Sequence, residues 1–120
     1  FNIVTFSQNA SGWKKEAVEA TEQSFADAQE FVAGVGGLGG TNLHGGLELA
    51  FEDPEVDTIF LLSDGEPSVG ELTDPQAIRE AVQGWLAQRK VVIHTVSIGE
   101  RFPLLEWLAK DSGGAYRTYP

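Results

Sequence analysis

Residues 57–71 read DTIFLLSDGEPSVGE, an apolar run that breaks at Ser63-Asp64-Gly65-Glu66-Pro67-Ser68. From Thr58 to Leu62 the apolar positions are consecutive rather than alternating, which predicts a strand covered on both faces, as in a parallel sheet with helices on each side. Open sheets of this kind place ligand and ion chemistry in the crevice at the carboxyl ends of their strands. Asp64, released into a loop at such an end, is therefore the first candidate for a functional residue.

Working outward, FNIVTF (residues 1–6) is rich in β-formers and is bounded by the polar stretch SQNASG, which reads as a strand followed by a loop. WKKEAVEA is compatible with a helical extension or a short edge strand. Beyond Thr21, Phe25, Ala28, Val32 and Val35 recur at the spacing of one helical face. The run GVGGLGGTN ends that helix, because glycine meets the left-handed backbone demand of a helix C-terminus. A second helix starts at about Asn42, with Leu43, Leu47 and Phe51 on one face. Gly45 and Gly46 inside it weaken it by about 1 kcal/mol each relative to alanine and suggest close approach by another backbone. Pro75 suits the first position of a third helix carrying Ile78, Val82, Trp85 and Leu86, whose basic end QRK suits the helix dipole. VVIHTVSIG predicts a second buried strand, PLLEWLAKDSGG a helix with a glycine stop, and AYRTY a last strand. The alternation of strands and helices demands right-handed crossovers and an α/β/α sandwich.

A length of 120 residues fits one domain, residues 1–120, large enough to bury a core. The net charge of −10 repels nucleic acid and anionic membranes and favours cations and basic partners. Cysteine is absent, which excludes disulfides and thiolate metal sites. No apolar run approaches the length of a membrane span, and FNIVTFSQ has no signal-peptide pattern. The chain begins with Phe and contains no Met, so it reads as a segment of something longer.

Several apparent motifs fail on context. Gly34, Gly36 and Gly39 spell G-x-G-x-x-G, but a helix precedes them where a dinucleotide site needs a strand. A phosphatase reading of SDGE needs an aspartate nucleophile two residues upstream of Asp64, and that position is Leu62. His94 reads as a core residue within a strand. His44, placed early in the second helix, reads as exposed and able to touch a ligand, with a solvated role the simpler account. Glu48, Glu52, Asp53, Glu55 and Asp57 read as a solubilising cluster. What survives is the Thr41 hydroxyl and the Asp64 carboxylate, which the strand–helix order brings to one rim of the sheet. Hard oxygens of this type suit Mg²⁺, which keeps several waters and takes few protein ligands.

The segments FNIVTFS, Trp13, GGTNLHGGLELAF, DTIFLLSDGEPS, VVIHTVSIG and LLEWLAKDSGGAY, in this order, resemble a von Willebrand factor type A domain, most closely the inter-alpha-trypsin-inhibitor heavy-chain subgroup. The resemblance covers nearly the whole chain. It implies a three-layer α/β/α, doubly wound, mostly parallel sheet with a metal-ion-dependent adhesion site. There Thr41 matches the threonine that binds the ion and Asp64 the aspartate that reaches it, often through water. The resemblance further implies Mg²⁺, or Mn²⁺ or Ca²⁺ in its place, and a protein ligand whose acidic side chain completes the metal shell. Asn42, His44 and Glu66 are the rim positions expected to meet that partner. The module so implied is an adhesion module and no enzyme; the compartment stays open, with an extracytoplasmic parent, secreted or membrane-anchored, favoured.

One departure qualifies the site. The family's Asp-x-Ser-x-Ser motif, at the end of a first strand upstream of the one matched by FNIVTFS, does not occur in these residues, and neither Ser7 nor Ser11 supplies it. The expectation is a domain lacking its first strand, with weak or absent Mg²⁺ binding unless Glu66, Glu71 or another acid replaces the missing ligands. In the order 3-2-1-4-5-6 that strand is central, so FNIVTF is expected to pair directly with TIFLL to satisfy their backbone groups. Two alternatives stand beside this reading: a degenerate domain of the same fold that binds partners without metal, and an α/β enzyme using the rim for a phosphate or nucleotide.

Overall fold

A computed structural model describes residues 1–36 and 39–120; Gly37 and Leu38, within the glycine run expected to stop the first helix, lie outside the described residues. The element order is β1 (Val4–Phe6), β2 (Ala10–Gly12), α1 (Glu22–Ala33), α2 (Leu43–Phe51), β3 (Thr58–Ser63), α3 (Pro75–Gln88), β4 (Val92–Ile98), α4 (Pro103–Ser112) and β5 (Tyr116–Tyr119). β3, β4 and β5 form a parallel sheet in that order, with Ile59 opposite Ile93 and Thr95 opposite Tyr116. The helix starts follow the sequence closely: Asp74 caps α3 ahead of Pro75, accepting from the Ala77 amide at 3.0 Å. Gly113 closes α4 at φ +81.

The core lies on one side of this sheet. Leu61 and Ile93 from the strands pack with Leu43 and Leu47 of α2, Ile78 and Val82 of α3, and Leu105 and Leu108 of α4. Two hydroxyls enter the same buried face with partners. Thr95 donates to the Leu105 carbonyl at 2.7 Å, and Ser97 lies 3.0 Å from the Tyr116 hydroxyl. Arg89 stitches the opposite end by donating to the carbonyls of Phe51, Asp53 and Val56 at 2.8–2.9 Å. It was expected to complement the dipole of its own helix; instead it closes the C-terminal end of α2, where carbonyls lack helical partners.

Four expectations are corrected. FNIVTF does not pair with TIFLL: β1 turns back on β2 as an antiparallel hairpin, with Val4 opposite Gly12 and Phe6 opposite Ala10. The polar stretch read as a loop thus supplies a strand, since a turn closed by the Ser7 amide on the Asn9 carbonyl (3.0 Å) lets Ala10–Gly12 fold back. Among the described residues, the edge of β3 away from β4 carries no strand. Second, β3 is not covered on both faces. Leu61 and Ser63 point into the core, while Phe60 is 72% and Leu62 54% exposed. Third, of the α1 stripe only Ala28 is buried, and Phe25, Val32 and Val35 are exposed. The helix leans on the hairpin through Phe25 against Phe1 (5.5 Å between ring centroids) and Phe31 against Trp13 (6.3 Å). Fourth, Gly34 caps α1 in the right-handed region, and among the described residues of the glycine run left-handed geometry appears at Gly39 and Gly40.

An ion pair joins the two outer helices. The Arg79 guanidinium donates twice to Asp111, at 2.8 and 3.0 Å, and Gln83 adds a third hydrogen bond at 3.1 Å. The Arg79 hydrogen bonds hold the Asp111 carboxyl below the usual carboxylate range, outweighing its partial burial, with attraction to the guanidinium and the Gln83 bond acting in the same direction. A depressed folded-state pKa contributes stability above the unfolded value, and that contribution is lost as pH falls through the folded value.

Two outcomes follow. Denaturant titration should find Leu61→Ala destabilising by about 2–5 kcal/mol. Phe60→Ala, one residue away on the open face, should cost about 1 kcal/mol or less through its stacking on His94, 5.1 Å away. Equal costs would contradict a one-sided core. Below about pH 4, Asp111→Asn should flatten the acid-induced loss of stability relative to the parent chain, as read from melting midpoints across the titration.

Candidate functional site

The rim at the carboxyl end of β3 is assembled by the two segments singled out in the sequence, GGTN and SDGE. Ser63, buried at the last position of β3, donates its hydroxyl to the Gly65 carbonyl at 2.8 Å and accepts from the Gly65 amide at 3.3 Å. This two-residue clasp shapes the turn and leaves Asp64 exposed at its tip. Thr41 is drawn to the same loop. Its amide donates to the Ser68 hydroxyl at 2.9 Å, and its carbonyl accepts from the Ser68 amide at 3.0 Å. A β-carbon on Gly65 would stand 3.4 Å from Thr41 Oγ1, so the threonine hydroxyl faces the backbone immediately beside Asp64.

Asn42 organises this corner. Its side-chain oxygen caps α2 by accepting from the Gly45 amide at 2.9 Å, and its amide nitrogen donates to the Gln8 carbonyl at 3.3 Å. Its own backbone N–H donates to the Ser7 carbonyl at 2.8 Å. The loop after Asp64 closes over it at Gly70, whose φ of +108 and close approach to the Asn42 amide leave no room for a side chain. The glycines inside α2 have a matching reason. Gly45 sits under the capping Asn42 amide, and Gly46 receives the Phe6 ring, a side chain rather than the backbone expected.

The remaining candidates separate. Glu66 is exposed beside an apolar cleft lined by Leu43, Pro67, Pro75, Phe102 and Trp107. His44, expected at the surface, is buried at 5% exposure with its ring 5.7 Å from that of Trp85. His44 stands beside Leu43 and Leu47 among the buried residues of α2, which its position near the start of the helix could not reveal. His94 lies half-buried on the open sheet face, and its Nδ1 accepts from the Ala115 amide at 3.0 Å. Sequence reading missed Ser63 and Ser68, which hold the backbone of the rim. The Ser–Asp–Gly spacing was the signal for Ser63; nothing local pointed to Ser68.

The model of the von Willebrand factor type A domain matches residues 1–118. The chain belongs to that family. This type A domain is 34% identical to inter alpha-trypsin inhibitor heavy chain 4 of Mus musculus over 98% of its length, covering 14% of that protein. It is 28% identical to von Willebrand factor A domain-containing protein 3A of Homo sapiens over 97% of its length, covering 10% of that protein. Among solved structures it resembles proximal thread matrix protein 1 from the mussel byssus, with a TM-score of 0.69 and 25% identity over 99% of this chain and 30% of that one. The domain thus spans about a seventh of the heavy chain that it matches. Membership places the helices and parallel strands of the described residues within the three-layer α/β/α architecture of the family.

Removing the capping side chain tests the corner. Asn42→Ala should destabilise the domain by about 1–2 kcal/mol through the lost cap alone. In hydrogen exchange, the 7–9 turn and the 65–70 loop should lose protection along with the first turn of α2; protection lost in α2 only would show that Asn42 is a cap and no junction.

Proposed function

We propose that this domain is a protein-interaction module of the adhesion type and no enzyme. In its longer parent it grips an acidic group of a protein partner through a divalent cation at the rim of Thr41 and Asp64. The observation that carries this reading is the convergence of Thr41 Oγ1 on the Asp64-Gly65 turn, held by the Thr41 backbone's two bonds to the Ser68 hydroxyl and amide. One hydroxyl and one carboxylate are hard oxygen donors of the kind Mg²⁺ accepts, and Mn²⁺ or Ca²⁺ can take the same donors. They fit such an ion but supply too little charge to hold it tightly alone. The ion would offer the partner's carboxylate an open coordination position; Thr41 and Asp64 would orient it.

Two further features support a protein partner. Glu66 and the apolar cleft around Phe102 and Trp107 adjoin the Asp64 turn, giving an apolar surface with a charged rim, as binding surfaces commonly have. Asn42 holds the loop that carries this surface, and His44, in the first turn of α2 that Asn42 caps, packs against Trp85. Among the described residues no helix is long and apolar enough to cross a membrane. We place the parent outside the cytoplasm, the compartment that the likeness to the inter-alpha-trypsin inhibitor heavy chains implies.

Isothermal titration of this chain with Mg²⁺ should give no saturable micromolar binding. The full-length parent should show Mg²⁺-dependent thermal stabilisation that chelator reverses and that Asp64→Ala and Thr41→Ala each abolish while the variants stay folded. Stabilisation by Mg²⁺ that survives both substitutions would refute the rim as the ion site.

A further inference from the structure

We propose that His44, Glu48 and Glu71 form a second cation site, selective for a zinc-class dication and built from residues distinct from the Thr41–Asp64 rim. One ligand atom from each of the three lies within 4.8 Å of the other two. His44 and Glu48 stand at i and i+4 on α2 and therefore share one helical face. Glu71 reaches them from the loop between β3 and α3, directly after Gly70, which packs against the Asn42 amide. Three segments of local structure thus converge: the first turn of α2, its second turn and the end of the loop.

The buried histidine is the independent observation. His44 is 5% exposed, yet neither ring nitrogen takes a hydrogen bond among the described residues, whereas the half-buried His94 has one at Nδ1. No fully enclosed side-chain nitrogen or oxygen lacks a partner among the described residues, so the free ring nitrogens of His44 open toward solvent. The ring is oriented by packing against Trp85, whose own ring lies 5.1 Å from that of Phe51. An unpartnered, packed imidazole that reaches two exposed carboxylates is a preformed anchor with two mobile jaws.

The donor set selects the ion. One imidazole nitrogen and two carboxylate oxygens match a three-ligand zinc centre with a fourth, solvent-filled position, and two carboxylates balance the ion's charge. Mg²⁺ prefers six oxygens in octahedral array and disfavours the nitrogen. Bond lengths of 2.0–2.2 Å in a tetrahedron place ligands about 3.3 Å apart, so the exposed glutamates must close inward by side-chain rotation. The His44 ring lacks the hydrogen-bonded outer partner typical of zinc histidines, and loss of such a partner typically weakens binding 10–100-fold. Micromolar affinity is therefore expected, well short of a tight structural zinc site.

Titrating the protein with ZnCl₂ in a large excess of Mg²⁺ should show one equivalent bound at micromolar affinity. Glu48→Gln and Glu71→Gln should each weaken it at least tenfold, and His44→Gln should abolish it. Glu80→Gln, an exposed acid on α3, should change nothing. Co²⁺ in place of Zn²⁺ should give the strong visible absorption of a four-coordinate centre. Absence of saturable binding, parent-like affinity in Glu71→Gln, displacement by Mg²⁺, or a weak six-coordinate Co²⁺ spectrum would each overturn the proposal. Because Glu48 and Glu71 are exposed, their variants keep the test decisive if His44→Gln fails to fold.

Discussion

The structure turns on one side chain, Asn42. Its oxygen starts α2, its nitrogen and backbone hold the turn of the β1–β2 hairpin, and the loop leaving β3 presses Gly70 against it. Three parts of the chain far apart in sequence meet at one amide. An asparagine can do this because it carries an acceptor and two donors on a short stem, so it caps a helix and still has N–H groups left for a second segment. Aspartate would keep the cap and lose the donors, and serine would lack the reach. The glycines at 45, 46 and 70 are the complement of this choice: each yields the space that the amide or the Phe6 ring occupies.

With the hairpin fastened to α2 rather than to β3, the burial of apolar surface becomes one-sided. The helices α2, α3 and α4 enclose Leu61 and Ile93 from one face, while Phe60 and Leu62 stay in solvent on the other. Phe25, Val32 and Val35 of α1 are exposed as well. An apolar strand with one open edge and one open face is a poor arrangement for solubility, since unpaired backbone groups on an edge invite other chains. The net charge of −10 opposes such association by mutual repulsion. The Thr95 and Ser97 hydroxyls show the reverse in the covered face, where both have a partner.

Periodicity and capping residues made most elements legible. Asp74-Pro75, Gly113 and the apolar spacing of α3 and α4 act through local chemistry, so the sequence carries them without help from the tertiary fold. The hairpin was not legible, because Ala10, Ser11 and Gly12 have weak strand propensity and pair only through β1. The exposure of Phe60 was hidden for a related reason: TIFLL states what the strand could bury, and only the surroundings decide what it does bury. At the rim, Thr41 and Asp64 were visible as residue types suited to an ion, whereas Ser68 was not, since its role is a contact between positions 27 residues apart. His44 was read as a surface residue, since its place near the start of α2 does not say that it turns inward beside Trp85; Glu48, one turn on, is exposed as read.

The loop from Asp64 to Glu71 links the chemistry at its two ends. Asp64 leaves the turn clasped by Ser63, Ser68 grips both sides of the Thr41 backbone, and Gly70 locks onto Asn42 before Glu71 emerges. The backbone at either end is therefore held near the first turn of α2 by the hydrogen bonds and packing in between. That turn is the positive end of the helix dipole, which by itself disfavours a cation nearby by a fraction of a kcal/mol up to about 1. Acids must offset it, and the loop supplies them without lengthening α2: Asp64 beside Thr41, Glu71 beside His44 and Glu48. A shift of the loop large enough to separate Asp64 from Thr41 would stretch the two Ser68 bonds and lift Gly70 from Asn42, and so would carry Glu71 away from His44. The cation chemistry proposed at this end of the sheet would thus depend on the same few contacts that join the hairpin to the rest of the domain.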